Sequence, residues 1–322
     1  MLQTTPAQYK KQEEYKYLKE VDSLALANVQ LHLQTAYKNF FRDKKIGFPK
    51  FKSAKHSKKT YTTNNQNGTI SIVGNGIKLP KIGVVKAKIH RKPDTDWKIK
   101  SATISQDSDG KFYASILYEF EKIVSKVPIS DRVIGLDYKS DGLYVDSDGN
   151  VCGSPKYYRK SQKKLARLQR RLSRKENGSN NRNKARLKVA RLQKHTANQR
   201  LDFLHKKSTE IANQYDVVCV ESLDMKNMSN KGFGNGKATL DNGYGLFLTM
   251  LEYKLADRGK YFVKVDKWYP SSQLCYCCGK QHKEMKNLLT RQFVCDCGYK
   301  NDRDINASLN IKKEGLRLLT VA

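Results

Sequence analysis

Between Cys275 and Ile311 the chain runs CYCCGK, a loop, and then CDCGYKNDRDINASLNI, and no other stretch limits its possible folds as much. Cys275 and Cys278 form a CxxC pair followed by Gly279, while Cys295 and Cys297 form a tighter CxC pair followed by Gly298. Each pair closes a turn, so the four sulfurs can converge on one tetrahedral Zn2+. Cys277 is an alternative ligand, and Cys152 and Cys219 read as small core or strand residues. Directly downstream, Asp302 and Asp304 stand where a helix should begin, where the helix dipole favours an ionised carboxylate.

Composition sets the class of partner. A chain of 322 residues can bury a full core and holds two or three structural units. Its 62 Lys+Arg against 31 Asp+Glu give a net charge of +31, and only 38% of residues are hydrophobic. An extended polyanion, hence nucleic acid, is the natural partner. No apolar run is long enough to span a bilayer, so no membrane role is expected. The opening MLQTTPAQYKKQEEYKYLKE has no signal-peptide core, which with the paired cysteines points to a reducing cytoplasm.

Several segments follow in order. Helical periodicity runs from Gln8 to Phe41 through Leu24, Ala27, Leu31 and Ala36. After GFPKFK and a Lys-rich stretch come short β-branched or aromatic runs with Gly, Asn and Asp turns, predicting an antiparallel barrel-like or sheet module to about Glu121. Its interleaved bases and aromatics form either a solvated face or a phosphate-contacting one. VIGLD then ends an apolar strand at Asp137, where an Asp is as often a turn former as a catalyst. The block Pro155 to Glu210, with 19 Lys/Arg against 3 Asp/Glu, reads as a helical hairpin. Most of its cations are left unpaired within the block, which favours contact with a nucleic-acid backbone. DVVCV delivers Glu221 at the end of a second buried strand. The Gly/Asn-rich segment Asn227 to Gly245 is where an active-site lid is expected.

Three carboxylates stand out by position: Asp137 and Glu221 at strand ends, and Asp304 at a helix start. Brought together, they are what two-metal phosphodiester hydrolysis requires, since hard divalent cations take oxygen ligands.

IGLDYKSDG, VCVESLDMKNM, WYPSSQLCYCCG and FVCDCGYKNDRDINASLNI resemble the RuvC-type nuclease motifs and zinc ribbon of the TnpB (OrfB) proteins of bacterial insertion sequences, relatives of the type V CRISPR effectors. GFPKFK and DFLHKKS are similar to further segments of that family, so the likeness covers nearly the whole chain. It implies an α/β fold: an RNase H-like RuvC nuclease domain with an inserted zinc ribbon, preceded by a β-rich wedge-like module with N-terminal helices. The implied layout is a helical recognition-lobe segment over 1–55, a β-barrel-like wedge module over 56–127, and the nuclease domain over 128–322. Within that domain lie the basic hairpin 155–210 and the ribbon 271–300.

The implied activity is RNA-guided DNA cleavage in the bacterial cytoplasm, nucleoid-associated when on DNA. The partners are a guide RNA from the element end and a double-stranded DNA target. The family's acids map onto Asp137, Glu221 and Asp304, holding two Mg2+, with Asp302 ranked second as a cap or supporting carboxylate. The ribbon ligands map onto Cys275, Cys278, Cys295 and Cys297. Lys50, Lys52, Lys163, Lys164, Arg167, Arg170, Arg171 and Arg174 are the expected nucleic-acid contacts. Family members begin with a β-strand and further helices ahead of the segment starting here near Gln8, so a form short at its N-terminus is expected, with guide loading and motif recognition affected more than the nuclease centre. A guide-dependent repressor without cleavage is the alternative function.

Overall fold

A computed structural model describes residues 5–53, 57–230, 236–287 and 289–321. These separate into two compact units, Met1–Lys122 and Ile123–Ala322.

In the first unit the expected continuous helix is interrupted. α1 (Pro6–Tyr9) is followed by a 3₁₀ stretch, Glu13–Lys19, before α2 (Ser23–Arg42) begins. The break has a local cause: the Asp22 side chain accepts the Ala25 N–H at 3.0 Å, starting a new helix at Ser23. Ala25 is buried, whereas Leu31, expected on the apolar stripe, is 54% exposed. Six strands follow: β1 (Lys59–Asn64), β2 (Ser71–Val73), β3 (Gly76–Leu79), β4 (Gly83–Lys86), β5 (Lys98–Gln106) and β6 (Phe112–Glu119). They pair antiparallel as two three-stranded sheets, β1-β5-β6 and β2-β3-β4, around Ile70, Ile77, Leu79 and Ala102.

The second unit is built on a five-stranded sheet. β7 (Val133–Tyr138), β8 (Gly142–Asp146) and β9 (Val151–Gly153) form a meander. The basic hairpin follows as α3 (Tyr157–Ser173) and α4 (Asn180–Gln214). β10 (Val217–Glu221) then pairs parallel with β7. Past α5 (Met225–Met228), α6 (Gly236–Asn242) and α7 (Tyr244–Ala256), β11 (Tyr261–Val265) pairs parallel with β10, giving the order β11-β10-β7-β8-β9. A two-stranded ribbon, β12 (Gln292–Val294) and β13 (Lys300–Asp302), precedes the last helix, α8 (Arg303–Val321).

Strand alternation decides which residues face which helices. Ile134, Leu136, Val218 and Val220 pack with Leu204 and Ile211 of α4 and Phe247, Leu251 and Leu255 of α7. Val133, Val217, Cys219 and Val265 pack with Ile311 of α8 on the opposite face. Asp137 and Glu221 share the parity of the second set. Both carboxylates therefore leave their strands on the side of α8.

Two glycines set how closely α8 sits. A Cβ on Gly135 would lie 2.1 Å from the Ser308 carbonyl oxygen of α8, and one on Gly315 would lie 2.3 Å from Cys219 Sγ. Helix backbone thus rests on strand backbone at Gly135 and on the Cys219 side chain at Gly315.

The segment expected as a lid is only partly described, because residues 231–235 lie outside the described set. Its C-terminal part is a pinned helix. Thr239, Asp241 and Asn242 are buried; Asp241 accepts the Tyr158 N–H at 2.9 Å, and Asn242 donates to the Tyr138 hydroxyl at 3.2 Å. With Arg200 of α4 donating to the Leu240 carbonyl at 2.8 Å, partners from α3, α4 and β7 outweigh the Gly/Asn composition that suggested a free loop.

Candidate active site and metal centre

Asp137 ends the central strand β7, Glu221 ends its parallel neighbour β10, and Asp304 lies in the first turn of α8. Their electrostatics report the convergence. Burial, then the charges of Glu221 and Asp304, push the Asp137 carboxyl well above the usual carboxylate range, with Arg303 opposing. Burial pushes Glu221 up to about 7. Asp304 carries a counter-charge instead: Lys139 Nζ lies 3.0 Å from its Oδ2, and Arg291 lies 3.9 Å away. Asp302 caps the helix, accepting the N–H groups of Asp304 at 2.8 Å and Ile305 at 3.3 Å.

The donors fit a hard divalent cation, since all three are carboxylates and none is nitrogen or sulfur. A second observation agrees. The Tyr244 hydroxyl is wholly buried, has no hydrogen-bond partner among the described residues, and feels the charges of Asp137 and Glu221. Such an orphan donor suits a site that takes up hydrated or ligated oxygen.

The thiols are gathered more tightly. Among the described residues, the ligand atoms of Cys275, Cys278, Cys295 and Cys297 lie within 4.8 Å of one another, and this is the one group so compact. Cys275 and Cys297 are 3.7 Å apart and Cys278 and Cys295 3.6 Å, while Cys277 is exposed and outside the set. The arrangement can hold one tetrahedral metal ion such as zinc. Buried His282 sits 3.2 Å from Cys295 Sγ through Nε2 and 2.9 Å from Glu284 through Nδ1. The Cys297 backbone N–H and His282 pull the Cys295 thiol down to about 6.

The two centres are joined through α8. Asn306 donates to the Leu274 carbonyl at 2.8 Å and accepts the Tyr276 N–H at 3.2 Å. Asn310, one turn on, donates to Ser271 and Leu274 carbonyls at 2.8 and 2.7 Å. The ribbon's first knuckle is thereby tied to the helix that carries Asp304. The sequence reading missed this, although two asparagines spaced i, i+4 were a visible signal. It also missed Lys139, Tyr244 and the paired glycines Gly135 and Gly315, whose roles depend on neighbours remote in the chain.

Lys163, Lys164, Arg167, Arg170, Arg171 and Arg174 are all exposed on α3 and the turn after it. Lys50 and Lys52 are exposed in the first unit. No helix among the described residues is long and apolar enough to cross a membrane.

A mixed sheet of this order, with acids at the ends of its two central parallel strands and a cysteine ribbon ahead of the closing helix, is the plan of the RNase H-like nuclease domains of RuvC type. The fold is shared with the Cas12f1 chain of a Cas12f1–sgRNA–target DNA complex solved by cryo-electron microscopy, with a TM-score of 0.55 at 15% identity, over 90% of this chain and 71% of that one. Residues 115–232 match the OrfB family of IS605, described as a probable transposase, and residues 244–311 match the Cas12f1-like TNB domain. Two relatives named as RNA-guided DNA endonucleases are each 35% identical. One, from Streptomyces pristinaespiralis, aligns over 96% of this chain and 75% of its own length; the other, InsQ of Escherichia coli K12, over 97% and 79%. The chain belongs to the TnpB (OrfB) family.

Proposed function

We propose that the protein is an RNA-guided DNA endonuclease of an insertion sequence, which cuts DNA by metal-dependent hydrolysis at Asp137, Glu221 and Asp304. The observation that carries the reading is the approach of these acids on the α8 face of the sheet, where burial raises both Asp137 and Glu221 and the charges of Glu221 and Asp304 raise Asp137 further. Two Mg2+ held by the three carboxylates would activate the attacking water and stabilise the leaving oxygen. Burial raises the Glu221 carboxyl, so a metal ion must displace its proton at and below neutral pH and would bind more tightly as pH rises. Lys139 releases Asp304 as the site fills. Tyr244 offers its buried hydroxyl to the oxygens that gather above it. Attack of a water oxygen on phosphorus would form one P–O bond as the water gives up a proton to solvent. It would break the P–O bond opposite, whose departing oxygen takes up a proton, so that one water is added across the bond.

In this reading one Zn2+ at Cys275, Cys278, Cys295 and Cys297 is structural. The first unit is the wedge-like, RNA-binding part with a recognition-lobe segment, and the second is the nuclease domain. The exposed bases of α3, with Lys50 and Lys52, contact nucleic-acid backbone. The guide comes from the element end, base pairing reads the target, and protein reads duplex shape. The site of action is the bacterial cytoplasm, at the nucleoid when on DNA.

The test is to purify the protein with its own RNA, sequence that RNA, and challenge plasmids bearing a matched target beside randomised flanks. Magnesium-dependent linearisation is expected, and it should vanish in Asp137→Ala, Glu221→Ala and Asp304→Ala while binding persists. A variant cutting at the wild-type rate would remove its residue from the site. A guide-dependent repressor is the second reading, favoured by the ion pair that already occupies Asp304; bound guide and target without cutting would establish it.

A further inference from the structure

A cavity of about 400 Å³ opens beside Glu221, and nothing in the metal chemistry uses it. Its volume falls within the roughly 300–1,000 Å³ range of small-molecule sites. Glu221 and Ser222 form one edge. Leu223, Met225, Leu248 and the bare backbone of Gly245 supply an apolar floor, and Lys264 and Lys267 stand at the rim. The register explains the rim: Val265 pairs with Glu221, so Lys267 lies just past the same end of the sheet.

The other carboxylates of the cavity are engaged. Asp224 accepts the Asn227 N–H at 3.0 Å, capping α5, and Glu252 is paired with Lys264 at 3.1 Å. Among the described residues Lys267 has no carboxylate partner, and its ammonium lies 4.9 Å over the ring of Trp268, which is 79% exposed. Apolar lining, a cation at Lys267 and the carboxylate of the proposed metal ligand Glu221 match a nucleotide, with the base inside and the phosphates toward Glu221 and Lys267.

We propose that this cavity seats one nucleotide of the cut DNA strand, the one adjoining the scissile phosphate, and so fixes where along the strand the bond is broken. The inference rests on the nuclease reading. With Asp224, Glu252 and Lys264 already engaged and Leu223, Met225, Leu248 and Gly245 lining the cavity, it selects for the presence and size of a base more than for its identity.

The test uses the full chain with its co-purified RNA and a matched target carrying 2-aminopurine at one position at a time, in EDTA so that no bond is cut. One position should brighten as its base leaves the stack. Thr249→Trp, which fills the cavity from an exposed helix position, should abolish the response, and Lys267→Glu should reduce it. With magnesium, an abasic nucleotide at that position should slow cutting by about tenfold, the worth of one lost base contact, and should have no effect in Thr249→Trp. No responsive position, or a response unchanged in both variants, overturns the proposal; should Thr249→Trp fail to fold by circular dichroism, Lys267→Glu decides. A responsive position in a complex that never cuts supports the cavity and sinks the nuclease reading instead.

Discussion

Glu221 sits where its carboxylate is costly in the metal-free protein and the neutral acid is favoured. Its folded pKa of about 7 exceeds the ordinary 4.5, so the folded chain binds a proton that the unfolded chain has lost between those values. The stabilising contribution is therefore complete below pH 4.5 and fades as pH rises through 7. Glu221→Gln in EDTA should raise the denaturation midpoint at pH 8 by an amount worth on the order of 2 kcal/mol, after allowing for the solvent that reaches the group, and the gain should disappear near pH 4. The same variant should lose Mn2+ binding. An unchanged midpoint at pH 8 would mean that the carboxylate is not held in low dielectric.

Lys139 belongs to the same scale. Its ammonium neutralises Asp304 at 3.0 Å, so Lys139→Met should strengthen Mn2+ binding several-fold in the DNA-free protein, read by paramagnetic resonance, whereas Lys139→Arg should not. Equal affinity in all three proteins would show that the lysine does not compete with the ion. That Asp137 and Glu221 lie at strand ends and Asp304 at a helix start was readable from the chain, because each of these elements has a clear pattern. Lys139 was not, since only the fold brings it to Asp304, 165 residues away.

At the scale of elements, α8 joins the parts. It rests on β7 through Gly135 and on β10 through Gly315, and it holds the ribbon through Asn306 and Asn310. Gly315→Ala should lower stability by about 1–3 kcal/mol through overpacking against Cys219, measured by denaturant midpoint. Cys219→Ala should recover part of that loss; strict additivity of the two changes would argue against direct contact. Cys295→Ser should release the ribbon's zinc and speed hydrogen exchange in the first turns of α8, where Asp304 lies. One zinc retained per chain would refute the ligand set. Within the stretch expected as a lid, α6 is held by partners from α3, α4 and β7, which its own Gly/Asn composition does not reveal.

At the scale of the whole molecule, the net charge of +31 dominates. RNA binding should weaken steeply with salt, and reversing Lys163, Lys164, Arg167 and Arg170 to Glu should flatten the slope. A slope unaffected by that reversal would move the phosphate contacts off α3.

The sequence by itself determined much of this protein, because its strongest signals are local. Cysteine spacing, apolar strands ending in acids, turn-separated β runs and unpaired charge each report short-range chemistry that one stretch of chain can carry. The tertiary structure alone decided what depends on distance through space. It brought Lys139 onto Asp304, left the Tyr244 hydroxyl beneath two carboxylates, let α8 approach the sheet at two glycines, and opened a cavity beside Glu221. Those features arise where segments far apart in sequence meet, and no local pattern encodes such a meeting.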